Sequence, residues 1–196
     1  MELNRISVKL FVNDPSAVKL AAFTPLFHKW IQNHTVEGLL IDVADYDHVP
    51  NGPGILLVAH DVDYGMDYTG GRAGLLVTRK HQKDQSLQHR IRDVVRLAAK
   101  AAAAIEDDGT TGATFDTRSA VLSFIDRLRA PNTAEAFSRF KADIEAATQG
   151  LWGPGAVIEY SGGDPRANLA VTIRGAQPVP LATLAERAEA AVLAAR

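Results

Sequence analysis

Residues 56–68 alternate in character over thirteen consecutive positions, and this stretch constrains the fold more tightly than any other. Leu56, Val58, His60, Val62, Tyr64, Met66 and Tyr68 take the even positions; Leu57, Ala59, Asp61, Asp63, Gly65 and Asp67 take the odd ones. A period of two belongs to an extended strand whose successive side chains point to opposite faces. One long strand with a core face and a largely acidic face is therefore expected. Thr69-Gly70-Gly71-Arg72 supplies the reversal of a hairpin, which returns through residues 73–81.

Around this hairpin the remaining elements are readable in outline. Residues 6–12 (ISVKLFV) read as a strand that ends in the turn chemistry of Asn13-Asp14-Pro15-Ser16. Phe23, Leu26, Phe27, Trp30, Ile31 and His34 form one stripe of a helix, with Thr24-Pro25 as cap and first helical residue. Residues 38–43 read as a second strand, leading into the loop Val49-Pro50-Asn51-Gly52-Pro53-Gly54. Leu87, Ile91, Val94, Val95, Ala98, Ala101, Ala102 and Ile105 mark a further amphipathic helix, and residues 107–112 a small polar linker.

Beyond the linker the pattern restarts. Arg5-x-x-Val8-x-x-Phe11-Val12 is echoed by Arg118-x-x-Val121-x-x-Phe124-Ile125, and Ala22-Phe23 by Ala136-Phe137 on a helix that Asn132-x-x-Glu135 would cap. Gly52-Pro53-Gly54 is echoed by Gly153-Pro154-Gly155, and Val77-Thr78 by Val171-Thr172. Two α+β halves follow, residues 1–108 as β-α-β-β-β-α and residues 113–196 as β-α-β-β-α, packed as one compact unit. The expected architecture is antiparallel sheets with helices on one face. In pattern, each half resembles the ferredoxin-like or strand-helix-strand-strand class of modules, as an internal duplication.

Composition narrows the chemistry. The absence of cysteine excludes disulfides, thiol nucleophiles and thiolate metal sites. A net charge of −2 argues against a dedicated nucleic-acid binder. No apolar run is long enough to cross a membrane and no signal-peptide pattern opens the chain, so a soluble, cytoplasmic protein is expected. Phosphate-loop, dinucleotide, nucleophile-elbow and zinc-protease motifs are absent, and no cofactor is implied.

All six histidines fall in the first half. Asp45, Asp47 and His48 do not combine with His60, Asp61 and Asp63 into a metal site. Pairing across the loop at 49–54 sets the two groups roughly 20 Å apart. A reversal at Gly70-Gly71 sets Met66 opposite Leu75, Tyr64 opposite Val77, Val62 opposite Arg79 and His60 opposite His81. His60, Arg79 and His81, with Tyr64 further along the same face, are thus the candidate ligand site. Two imidazoles beside a guanidinium suit a carboxylate or phosphate. They equally offer two metal ligands, without a third. The plain alternative is that these side chains are solvated where the face leaves the core. On the other face, Asp61, Asp63 and Asp67 read as a solvated acidic surface, with Lys80 opposite Asp61.

Charge is segregated: residues 34–71 hold seven acids and no Lys or Arg, while residues 72–100 hold eight bases and two acids. Mutual neutralisation within the fold or across a dimer is favoured over docking of a charged partner. Tyr46, Tyr64 and Tyr68 suit a pocket or a core equally. The Ala-rich helix at 181–195 calls for close packing on a sheet or on a partner's helix in a homodimer. The resulting expectation is a non-catalytic module for small-ligand binding, protein binding or assembly, with a small anion and a second copy as candidate partners. The alternative is an enzyme in which Arg79 anchors an anionic substrate and His60 and His81 are the acid–base pair.

Overall fold

The computed structural model describes residues 3, 5–80, 85–160 and 162–194. Eight strands form one sheet in which every paired neighbour is antiparallel, in the order β2-β3-β4-β5-β1-β6-β8-β7. The strands are β1 (Ile6–Val12), β2 (Leu40–Tyr46), β3 (Gly54–Ala59), β4 (Val62–Asp67), β5 (Gly74–Arg79), β6 (Phe115–Phe124), β7 (Val157–Glu159) and β8 (Leu169–Arg174). Four helices accompany them: α1 (Phe23–Asn33), α2 (Leu87–Asp108), α3 (Ala134–Thr148) and α4 (Leu181–Leu193). The fold is mixed α+β, with one sheet running through both halves of the chain.

All four helices gather on one face of that sheet. Trp30 of α1 meets Tyr64 edge-on at 6.4 Å, Asp93 of α2 reaches Arg79, and Phe140 of α3 stacks on Phe124 at 6.0 Å. Tyr64, Arg79 and Phe124 share this face with Ile6 and Val8, because register places Arg79 and Phe124 beside Ile6, and Val77 beside both Val8 and Tyr64. The fourth helix, α4, packs on α2. Its stripe of Leu184, Ala185, Ala188 and Val192 is buried within the chain.

Trp30, Phe23 and Phe27 are core residues, as the stripe of α1 predicts. His34 is not in that stripe: it is exposed in the left-handed conformation (φ 50°) and caps the helix with its N–H on the carbonyl of Trp30. Pro25 falls in the first turn, where no intrahelical partner for its missing N–H is needed.

The long strand expected over residues 56–68 is broken. The chain reverses at His60 and Asp61, so β3 and β4 pair as Ile55 with Met66, Leu56 with Gly65 and Leu57 with Tyr64. The first half is therefore β-α-β-β-β-β-α, one strand more than expected. The reversal also changes which side chains are buried. Ile55, Leu57 and Ala59 are inaccessible while Leu56 and Val58 are half-buried, because a tight turn puts the odd positions of β3 on the face of the even positions of β4.

No glycine or asparagine marks this turn; long-range polar contacts staple it. The Ala59 N–H donates to Asp63 Oδ1 (3.1 Å), and Lys80 Nζ donates to the Ala59 carbonyl and to Asp63 (2.8 Å). The His60 N–H reaches the Leu39 carbonyl (2.9 Å), and the Lys80 N–H reaches that of Asp61 (2.8 Å). Asp63 is thus no part of a solvated acidic surface, and neither is Asp67. The Asp67 carboxylate lies 2.6 Å from Lys9 Nζ, and both residues are buried on the face without helices.

Gly54 closes the β2–β3 loop at φ +61°, and a Cβ there would stand 2.1 Å from the Met66 carbonyl oxygen. Gly54→Ala is expected to cost about 2 kcal/mol or more in urea unfolding. Gly70→Ala, at φ +76° with nothing within 4 Å, is expected to cost about 1 kcal/mol.

Candidate functional site

Tyr64 and Arg79 come together on the helix-covered face, but inside a cluster of charged side chains that pair with one another, the buried Arg79 Nε making an ion pair without a hydrogen bond. α2 lies between the sheet and α4, so it is buried nearly all round, Asp93 and Arg96 included. Buried charges must be paired to be tolerated. Asp93 Oδ2 lies 3.3 Å from Arg79 Nε, and its Oδ1 accepts from Arg96 Nη2 at 2.7 Å. Arg96 in turn grips both oxygens of Glu37 in a bidentate fork, with 2.7 Å from Nη2 to Oε2. Lys100 bonds Glu189 of α4 at 2.6 Å, and Glu189 lies 3.4 Å from Arg96.

The cluster sets its own ionisation. Hydrogen bonding to Arg96 holds the Glu37 carboxyl below its ordinary value of 4.5, and the Arg96 guanidinium is raised chiefly by the same contact. Tyr64 donates its hydroxyl to the Glu37 carbonyl at 2.9 Å. Burial, reinforced by the Glu37 charge, pushes its phenol above the usual tyrosine range, so it stays protonated near neutrality.

The remaining candidates lie elsewhere. His60 is in the β3–β4 turn, 65% exposed, with Nε2 3.6 Å from Asp61; β4–β5 pairing ends at Val62 and Arg79, short of it. His81 lies outside the described residues. Among the described residues, no three His, Asp or Glu side chains are grouped so as to hold a metal ion, and no helix is long and apolar enough to cross a membrane.

Two recesses mark other parts of the surface. A groove of about 940 Å³ runs between the C-terminal half of α3, the turn at 149–156, β7 and Arg187 of α4. Its turn is held by the Arg187 Nη1 hydrogen bond to the Leu151 carbonyl (3.0 Å), while Gly153 and Gly155 take φ +84° and +80°. A smaller recess of about 340 Å³ lies at the loop end of the β2–β3 hairpin, lined by Tyr46, Asp47, Val49 and Tyr68 among others. Arg79 and Tyr64 line neither.

Sequence reading passed over the centre of the charged cluster. Asp93 and Arg96 stand three residues apart on one helix, which is a recognisable pairing. Both are nevertheless charged residues beside an apolar stripe, and nothing local indicates that α4 covers them. Protein-family models, curated proteins and solved structures yield no match to the chain.

The geometry makes the cluster a source of stability. Asp93→Ala leaves Arg79 and Arg96 without their shared carboxylate and is expected to cost about 3 kcal/mol in chemical denaturation. Lys100→Ala, at a half-exposed pair, should cost about 0.5 kcal/mol or less. Because the folded pKa of Glu37 is depressed, its contribution is full above pH 4.5 and is lost as the pH falls through the lower folded value. Glu37→Gln should accordingly flatten the fall in stability below pH 4.5, read from urea midpoints across an acid series.

Proposed function

We propose that the protein is a non-catalytic binding module that docks an extended segment of a protein partner in the groove between α3 and β7. The observation that carries this reading is a ligand-sized groove of about 940 Å³ running beside an edge strand. Among the described residues β7 is bonded only to β8, which leaves the other side of its backbone without a strand partner there. An added strand would satisfy those groups, and alternate side chains would enter the groove. Ala146, Pro154, Ala156 and Val157 offer apolar wall, while Lys141 and Arg187 outnumber the single carboxylate of Glu145. That balance favours an acidic segment.

The same reading takes the halves at 1–108 and 113–196 as a duplicated module of the strand-helix-strand-strand, ferredoxin-like kind. Its support is positional: β1 and β6 pair at the centre, β5 and β8 flank them, β4 and β7 lie beyond, and α2 packs on α4. Location in the cytoplasm belongs to the proposal as well. A homodimer would use a surface other than the α4 stripe, which α2 already covers.

Selection of random short peptides displayed against the purified chain tests the groove. Peptides that alternate apolar and acidic residues should be enriched, and should slow hydrogen exchange at residues 157–159. Lys141→Glu, at an exposed side chain, should weaken them about fivefold to tenfold. Protection of another surface instead, or unchanged affinity in Lys141→Glu, contradicts the reading.

A further inference from the structure

The loop end of the β2–β3 hairpin has a different chemistry from the groove. Tyr46 and Tyr68 line one recess of about 340 Å³ together with the Asp47 carboxylate, and Leu20, Val49 and Pro50 supply apolar wall. The loop that shapes it is internally bonded: the Val49 N–H reaches the Tyr46 carbonyl (2.9 Å), Gly52 reaches Val49 (3.0 Å) and Tyr68 reaches Gly52 (3.1 Å). Asp45 Oδ1 accepts the Asp47 N–H at 2.9 Å, which fixes the backbone that carries the lining carboxylate. Gly54 has Tyr68 Cδ2 3.3 Å from where a Cβ would stand, so the absent side chain gives that ring its place.

Asp47 is the one carboxylate and there is no Lys or Arg among the residues lining the recess, and the His48 ring lies 6.4 Å from that of Tyr46. Residues 34–71 contain no Lys or Arg. Glu37, Asp63 and Asp67 of that stretch are consumed by Arg96, Lys80 and Lys9. Asp42, Asp45 and Asp47 have no cationic partner among the described residues. Tyr68 registers this field, its phenol being raised by burial and by the Asp47 charge. Aromatic faces beside a carboxylate attract a soft, weakly hydrated cation, which gains from the ring quadrupoles and from the opposite charge.

We propose that this recess is a binding site for an organic cation, an alkylammonium group held between Tyr46 and Tyr68 and neutralised by Asp47. It is separate from the α3–β7 groove, at the other edge of the sheet. The volume stands near the low end for ligand cavities and suits a small amine or the end of one basic side chain.

Calorimetric titration of the full chain at low ionic strength tests the assignment, with choline, with its uncharged isostere 3,3-dimethylbutan-1-ol, and with a short trimethyllysine peptide. Choline or the peptide should bind saturably with Kd about 1 mM or tighter, and the isostere at least tenfold more weakly (about a tenfold margin for the charge). The tighter of the two cations identifies the source, free amine or side chain. Tyr46→Ala, at the exposed last residue of β2, and Asp47→Asn, at the exposed residue that follows it, should each weaken the cation about fivefold while thermal melts stay unchanged. Absence of saturation with both cations, equal binding of the isostere, or wild-type affinity in both variants overturns the proposal.

Discussion

Everything on the helix side of the sheet depends on how α2 is covered. It lies across β1 and β5 on one side, with α3 and α4 packed against it on others, so its ordinary amphipathic pattern ends up buried almost all round. Ile91, Val94, Ala98, Ala101 and Ile105 need nothing more than contact with the sheet and its neighbours. Asp93 and Arg96 do need more, since a buried charge without a partner costs several kcal/mol. The cluster Arg79–Asp93–Arg96–Glu37 is the consequence. It draws one member each from β5 and the segment before β2 and two from α2, and Lys100 ties Glu189 of α4 to its rim.

This constraint changes the meaning of the residues that looked most like a site. Arg79 and Tyr64 do share a face, and the register that brings them there follows from the reversal at Gly70-Gly71. That register is legible because glycine turn chemistry marks the centre of the hairpin. The loop at 49–54 marks the β2–β3 pairing in the same way, with Val43 opposite Leu57 and Ala44 opposite Leu56. What stays hidden is the turn at His60-Asp61. Its alternation runs on without a break, and its stabilising contacts come from Asp63 in the next strand and from Lys80 at the far side of the hairpin. Short-range pattern carries no trace of a contact seventeen residues away, so alternation alone predicts a strand face for His60, which in the structure belongs to the turn.

Charge segregation was legible in part for the same reason. Glu37 with Arg96 and Asp63 with Lys80 join the acidic stretch to the basic one. Lys9 with Asp67 does not follow from block adjacency; it requires β1 to insert beside β5. The remainder, Asp42, Asp45 and Asp47, which have no cationic partner among the described residues, lies along and just beyond edge strand β2. There a bulge between Leu40 and Asp42, with Asp42 accepting the Val43 N–H, blunts the edge against strand addition. The opposite edge, β7, is three residues long and borders the larger groove. The two ends of one sheet thus differ in charge and in shape, which is the basis for assigning them different partners.

Once α2 is covered, the charged cluster on the helix side of the sheet must stay paired for the fold to keep its stability. A double-mutant cycle on Asp93 and Arg96, with urea unfolding of the wild type, Asp93→Ala, Arg96→Ala and the double variant, tests it most directly. A structural pair predicts that each single variant loses stability and that the double loses less than the two combined, with a coupling of about 1 kcal/mol or more. Additive losses, or single variants more stable than the wild type as at a site strained for function, would contradict it.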